Sequence, residues 1–307
     1  ILVKAGVYST GTGKTKANGL DNRVQFDNGG YVRMIGLDGA ENTFIVGAAD
    51  PDAKDDPEKR GCGPNAVRCI TVLTGGVIQG FTLTGGHSDY GEVDGETSIK
   101  VCGGMGTSTA SEKPSGRTFF VDCIISNNVA YRGAMGYGGT YLRCYFADNH
   151  TIRNDGGLKG GVAANCIFTG NYNPGGTLRD GTAAYNCTVV ENDTVGGVAF
   201  GRGDIYNSIC RSAHAHPDPV TNIKGTIVDG VAQTSGEDTL LADPCFRDAE
   251  NGDFRIASVS PAVGFGDPCA GDWWKFAGCD FYGDRYRFVG GKVISGAIQE
   301  LVPSVRL

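Results

Sequence analysis

The chain has 307 residues, 40% of them hydrophobic, and a formal net charge of −7. This acidic balance argues against nucleic acid as a partner, because nucleic acid attracts clusters of lysine and arginine. No stretch is apolar and long enough for insertion into a membrane. The first residues, 1–8, already read as a strand and a turn and carry no signal peptide, so we expect an export signal and a first coil upstream of them.

Short strand-like runs separated by two polar excursions make up the first part of the chain. The first excursion, near residues 50–61, is highly charged and predicts an exposed loop. Its acidic residues 50–58 offer oxygen ligands for calcium, with a merely solvated loop as the alternative, and no other cofactor is expected. The second excursion, near residues 87–117, is longer. The strand-like runs are 1–3, 31–35, 43–46, 69–73, 77–78 and 81–83.

From residue 118 onward a short segment repeats every 21 or 22 residues. Each copy has a cysteine followed five residues later by an asparagine. A fixed period with strand-like segments predicts an all-β solenoid of stacked coils, about 12 in number from length and period. Phe81 precedes the first of these cysteines by 42 residues, which we interpret as two coils. The repeated residues are Cys123, Cys144, Cys166, Cys187 and Asn128, Asn149, Asn171, Asn192.

Strand alternation assigns a place to each repeated position. Inward cysteines form a buried column of free thiols, and Ile125, Phe146, Phe168 and Val189 point inward with them. The asparagine amides are expected to bond one another between coils ~4.8 Å apart. The outward positions form an apolar stripe, which indicates an interface, a ligand surface or cover by the loop 87–117. These outward residues are Ile124, Tyr145, Ile167 and Thr188.

Residues 238–307 depart from the repeat, so we divide the chain into a parallel β-helix, 1–237, and a C-terminal coil and cap, 238–307. Two cysteine pairs, Cys62 with Cys69 and Cys269 with Cys279, are candidates for disulfides. Trp273 and Trp274 are either a sugar-stacking platform or part of a packed cap. His214 and His216 suit a metal if a third ligand exists, and an ordinary loop otherwise.

Polar side chains that follow the asparagine column form the candidate site. A glycoside hydrolase needs two carboxyl groups ~5 to 9.5 Å apart, which one or two coil steps cover. A uronate lyase needs a cation for the sugar carboxylate and a base for the ring proton. The alternative is a set of solvated turn residues with arginine–aspartate pairs. The candidates are His150, Tyr172, Asp193, Asp148, Glu191, Arg153, Asp155 and Arg179.

Three stretches carry a resemblance to a known class of proteins. They are the segment Val-Ile-Gln-Gly-Phe-Thr-Leu-Thr-Gly-Gly at 77–86, the Asn-Cys-x-x-x-x-Asn coils from 122 to 192, and the closing segments around 242–262 and 293–300. The chain resembles right-handed parallel β-helix proteins of the pectate-lyase-like kind, and most of all bacterial surface proteins with polymorphic-outer-membrane-type repeats. The resemblance implies coils of ~21–23 residues. Its right-handedness also agrees with the general crossover rule.

The resemblance implies a secreted or cell-surface location and several functions. The first is a scaffold, or a binder of a polysaccharide or extracellular-matrix glycan. The second is a polysaccharide lyase or glycoside hydrolase acting in a groove along the β-helix. The third is a structural subunit that self-associates in an extracellular assembly.

Overall fold

Two long parallel sheets run along the molecule and confirm the predicted all-β solenoid. The computed structural model describes residues 1–14, 21–26, 30–72, 75–90, 105–106, 118–153, 156–179, 181–194, 200–201, 203–211, 222–229, 238–271, 279–284, 288–299 and 301–302.

The two long sheets, sheet A and sheet B, take one short strand each from successive coils. Sheet A contains Leu2–Val3, Val32–Gly36, Gly76–Gln79, Thr118–Val121, Thr140–Leu142, Val162–Ala164, Ala183–Tyr185, Asp204–Tyr206 and Asn222–Lys224. Sheet B contains Gly6–Tyr8, Thr43–Val46, Thr82–Thr84, Ile124–Ser126, Tyr145–Ala147, Ile167–Thr169, Thr188–Val190, Ile209–Arg211, Thr226–Asp229 and Thr239–Leu241.

Smaller sheets complete the described coils. A third sheet contains Gly136–Tyr137, Leu158–Lys159, Leu178–Arg179 and Phe200–Gly201, and a two-stranded one contains Val129–Ala130 and His150–Thr151. A four-stranded sheet contains Met105–Gly106, Val67–Val72, Asp21–Phe26 and Gly13–Lys14. The C-terminal part has Phe246–Asp248, Asp253–Ala257 and Leu301–Val302, the hairpin Phe288–Val289 with Lys292–Val293, and the 3-10 helix Ala249–Asn251.

Register confirms the period of the central coils and corrects their number. Phe120 pairs with Tyr141 and Tyr141 pairs with Ala163, which are steps of 21 and 22 residues. However, Val77 pairs directly with Phe119, a step of 42 residues. The prediction of two coils between Phe81 and the first repeated cysteine is therefore wrong. Within the described residues sheet B has ten strands, compared with the predicted number of about 12 coils. Long loops add residues to a coil without adding strands, so length divided by period overcounts.

Each regular coil bends on either side of its sheet B strand through a residue with left-handed backbone. Asparagine and glycine tolerate this conformation best, which explains their frequency at these positions. The first bend has φ between 49° and 56°, and the second between 51° and 63°. The first column is Asp122, Arg143, Asn165, Asn186 and Asn207, and the second is Asn127, Asp148, Gly170 and Glu191.

The repeated cysteines form the predicted buried column of unbonded thiols. The Sγ of Cys144 donates to the carbonyl of Phe120 at 3.4 Å, and its neighbours make equivalent bonds. The predicted cysteine pairs do not form, since all four members are free thiols. Cys62 and Cys69 instead donate to backbone carbonyls of different strands, and Cys269 and Cys279 belong to a segment that crosses several coils.

The asparagine column is the hydrogen-bonded ladder that the repeat predicts. The Nδ2 of Asn149 donates to the Oδ1 of Asn171 at 2.8 Å and to the carbonyl of Ile125 at 2.9 Å. The backbone N–H of Asn149 also donates to Asn171 Oδ1, at 3.0 Å. One buried amide therefore joins three successive coils, and the pattern repeats at Asn128 and Asn171.

The C-terminal segment covers the outward apolar stripe of sheet B. We call its described part, residues 246–271, 279–284 and 288–299, the strap. Phe254, Ala297 and Ile298 of the strap pack with Ile167 and Val190 in one buried cluster. The strap supplies apolar side chains that match this stripe. Residues 91–104 and 107–117 of the loop that the sequence offered as a cover lie outside the described residues.

Candidate functional site

One side chain from each of five successive coils forms a continuous row next to the asparagine ladder. Backbone bridges join His87 to Val129, Val129 to His150, His150 to Tyr172, and Tyr172 to Asp193. We call these five residues the polar row, since all of them except Val129 are polar. His150, Tyr172 and Asp193 each follow an asparagine of the ladder, so buried amides fix the backbone beside them. His87 lies two coil steps before His150, not the three that a period of 21 predicts, because one intervening coil is long.

The rings of His150 and Tyr172 stack on one another. Their centroids are 4.3 Å apart and their planes differ by 7°. Both side chains are half-buried, and neither forms a side-chain hydrogen bond within the described part of the chain. Because the ring faces meet along the solenoid axis, the imidazole nitrogens and the phenol hydroxyl remain on the ring edges as available polar groups.

Burial keeps both histidines of the row neutral, and at His150 a nearby cation adds to this effect. Burial, followed by the positive charge of Arg60, lowers the pKa of His150 to about 4. Burial also lowers the pKa of His87, although its Nδ1 lies 3.0 Å from the carbonyl oxygen of Gly85. At neutral pH both imidazoles are therefore able to accept as well as donate a hydrogen bond.

The loop 50–61 packs against this row beside Arg60, an arrangement that the repeat does not predict. A Cβ on Gly61 would lie 2.8 Å from Cδ2 of His87, so the end of the loop is packed against the row. Arg60 itself has left-handed backbone, with φ of 49°. The sequence placed Arg60 only in an exposed charged loop. No signal in a single sequence relates that loop to residues 90 positions downstream.

The loop is held in shape by a buried carboxylate. Asp50 Oδ1 accepts the N–H of Asp52 and Oδ2 accepts the N–H of Asn65, both at 2.9 Å. Burial favours the neutral acid, but these backbone donors together lower the pKa of Asp50. Within the described ranges, no three His, Cys, Asp or Glu side chains converge to hold a metal ion. Calcium binding by this loop stays a prediction.

The two predicted acids Asp148 and Glu191 occupy the second bend, two coils apart, with Gly170 between them. Both are exposed. Burial, and then the charge of Asp148, raise the pKa of Tyr145, which packs beside the strap. Glu191 lies 3.8 Å from the Nε of Arg211. These acids therefore flank the row and interact with groups outside it.

The predicted arginines bind atoms of their own chain. Arg153 donates through Nε to the hydroxyl of Tyr131 and lies over that ring, 5.2 Å from its centroid. Arg179 donates from Nη1 to the carbonyl of Gly175 at 2.8 Å. Five other residues singled out in the sequence lie outside the described residues: Asp155, His214, His216, Trp273 and Trp274.

Comparison with known proteins does not assign the chain to a family. No protein-family model matches the sequence, and no curated protein sequence matches it. Among the described residues, no helix has the length and apolar character needed to cross a membrane.

Proposed function

We propose that this chain is an exported bacterial β-helix protein that binds an extracellular glycan along the polar row and serves as a surface scaffold. The resemblance to pectate-lyase-like and polymorphic-outer-membrane-type proteins supports the export and the glycan. The observation that carries the proposal is the stacked pair His150 and Tyr172, whose polar ring edges have no partner in the described protein.

A solenoid suits an extended polymer. Coils repeat every ~4.8 Å, so a chain lying along the axis meets one equivalent side chain at each step. Sugar hydroxyl groups both donate and accept hydrogen bonds. They can therefore bond a neutral imidazole, a phenol and a carboxylate that follow one another along the row. His150, Tyr172 and Asp193 present these three groups on consecutive coils.

Binding fits the geometry better than hydrolysis or elimination. Asp148 and Glu191 are separated by two coils, ~9.6 Å along the axis, and each already interacts with another group. The guanidinium groups of Arg153 and Arg179 bind the protein itself. An imidazole with a pKa of about 4 is a weak base for abstracting a ring proton.

A screen of soluble polysaccharides by affinity electrophoresis tests the proposal. Tyr172→Phe removes one hydroxyl from the row and should weaken binding about three- to tenfold, as expected for one hydrogen bond. The matched control is Tyr145→Phe, which removes a hydroxyl beside the strap and should leave binding unchanged. If Tyr172→Phe binds as tightly as Tyr145→Phe, the glycan binds at a surface other than the polar row. Release of reducing ends or unsaturated products by the wild type would favour the lyase or hydrolase alternative.

A further inference from the structure

We infer that the glycan bound by the polar row carries an anionic group, a carboxylate or a sulfate, and that Arg60 is the residue that recognises it. This inference rests on the proposed function of the row and adds the chemical class of its ligand. It also adds a binding residue from a loop outside the repeated coils.

The loop that carries Arg60 is a rigid support. The backbone N–H of Arg60 donates to the carbonyl of Asp56 at 2.7 Å, and that of Gly61 donates to Ala53 at 3.0 Å. The N–H of Asp50 donates to the carbonyl of Gly61 at 2.9 Å, which joins the two ends of the loop. The left-handed backbone of Arg60 is unfavourable for a side chain with a Cβ, yet the position holds arginine rather than glycine. A strained residue held by its surroundings is a common feature of binding sites.

The guanidinium of Arg60 is available to a ligand. Arg60 is exposed and forms neither an ion pair nor a side-chain hydrogen bond with any described residue. Two other arginines are paired instead: Nε of Arg143 lies 2.7 Å from Asp122, and Nη2 of Arg255 lies 2.7 Å from Asp253. A free guanidinium offers a planar fork of donors that matches a carboxylate or a sulfate in two parallel bonds.

The charges along the row orient such a ligand. Gly61, the residue after Arg60, packs against His87 at one end of the row, where an added Cβ would lie 2.8 Å from Cδ2 of His87. The positive charge of Arg60 also acts at His150, whereas the carboxylate of Asp193 lies two coils further on. An anionic substituent is therefore attracted to the Arg60 end and repelled from the Asp193 end. The neutral hydroxyl groups of the same polymer are left to face the phenol of Tyr172 and the carboxylate.

Anion binding should also be linked to protonation of His150. The groups that face this imidazole are Val129 and Tyr172 from the adjacent coils and Arg60 from the loop, with His87 and Asp193 one coil beyond. A bound anion neutralises the field of Arg60 and favours the imidazolium. The imidazolium adds a second charged donor, so binding should strengthen as pH falls.

Isothermal titration calorimetry with four polymers tests the inference. They are a sulfated polysaccharide, a polyuronate, and the neutral forms of each made by desulfation and by carboxyl reduction. Arg60→Gly removes the guanidinium while favouring the same backbone conformation. It should weaken binding of the preferred anionic polymer at least about tenfold, since charge-assisted bonds are strong, and leave the neutral forms unchanged. Lys59→Ala removes the same charge from the same loop and should leave binding unchanged, because Lys59 pairs with Asp56 at 3.4 Å.

Each outcome decides between the two proposals. Equal affinity of the wild type for anionic and neutral forms, or full retention of the anion preference by Arg60→Gly, overturns this inference and leaves glycan binding intact. Absence of binding to any polysaccharide overturns both. Nuclear magnetic resonance supplies an independent readout: the anionic ligand should raise the pKa of His150 in the wild type and not in Arg60→Gly. A pKa that does not move on binding also contradicts the inference.

Discussion

His150 and Tyr172 lie on neighbouring coils with their rings nearly parallel and 4.3 Å apart. Burial of the imidazole, together with the charge of Arg60, lowers its pKa to about 4. A proton titration of the ring resonances should therefore find His150 neutral at physiological pH. Arg60→Gly should raise this pKa towards its ordinary value, because one of its two causes is removed. A pKa at or above 6.5 in the wild type would contradict the described surroundings of the ring.

The same shift predicts a pH dependence of stability. The unfolded chain has an ordinary histidine pKa near 6.5 and binds more protons than the folded chain between pH 6.5 and about 4. Stability should therefore rise with pH across this window and be lost as pH falls through it. Urea unfolding at several pH values checks this, and His150→Gln should reduce the slope. An unchanged slope would assign the pH dependence to other groups.

The asparagine ladder should be a large contributor to stability. Asn171→Ala removes a buried amide that bonds Phe146, Thr169 and Asn192 and leaves several of their groups unpartnered. We expect a loss of about 1–3 kcal/mol in the free energy of unfolding, measured with urea.

A matched control for the ladder lies at the second bend. Asp148→Gly places at this position the residue that the next coil already has, Gly170, and suits the left-handed backbone. Its effect should stay within about 0.5 kcal/mol. Similar stabilities for Asn171→Ala and Asp148→Gly would show that the ladder is not needed to hold the coils together.

The cysteine column and Cys269 should react very differently. Burial raises the pKa of Cys144 well above its usual value, and its relative exposure is 0%, whereas Cys269 is exposed. A thiol reagent applied to the native protein, followed by peptide mapping, should label Cys269 first. Cys144 should react only after unfolding, because the thiolate is the reactive form. Early labelling of Cys144 would mean that the column is open to solvent.

Stacking explains why the sequence predicts the central coils so well. Residues at one register position share the same surroundings, so the period of 21 or 22 places each cysteine above the next and each asparagine above the next. Alternation then places Phe146 and Phe168 inside, where they stack with centroids 4.4 Å apart. These are local regularities, which a single sequence displays directly.

The strap and the role of Arg60 depend on contacts without such regularity. Ala297 donates its N–H to the hydroxyl of Thr188, 109 positions earlier. Arg60 acts on His150 across 90 positions, through a loop whose composition indicates only exposure. The period predicts that His150, Tyr172 and Asp193 lie next to one another. It does not indicate which charged side chains form bonds within the protein. Arg153, predicted as a catalytic cation, instead binds Tyr131.

Attachment of the strap should depend on Gly225. Asn207 holds the strap by two bonds, from its Nδ2 to the carbonyl of Asp267 at 2.9 Å and from the N–H of Asp267 to its Oδ1 at 2.7 Å. A Cβ on Gly225 would lie 2.3 Å from that Oδ1 and 2.8 Å from the nitrogen of Asp267. Gly225→Ala should therefore break both bonds and speed limited proteolysis near Asp267, while hydrogen exchange in the central strands stays slow.

Gly181→Ala separates this clash from backbone strain. Both glycines have left-handed backbone, with φ of 60° and 84°, so alanine is strained at either position by about 1 kcal/mol. At Gly181, however, no atom of the described residues beyond its chain neighbours lies within 4 Å of the added Cβ. Gly225→Ala should thus be the less stable of the two in urea, and only Gly225→Ala should release the strap to protease. Equal proteolysis of the two variants would mean that Asn207 does not fasten the strap, and that the apolar cover by Phe254 and Ile298 holds it instead.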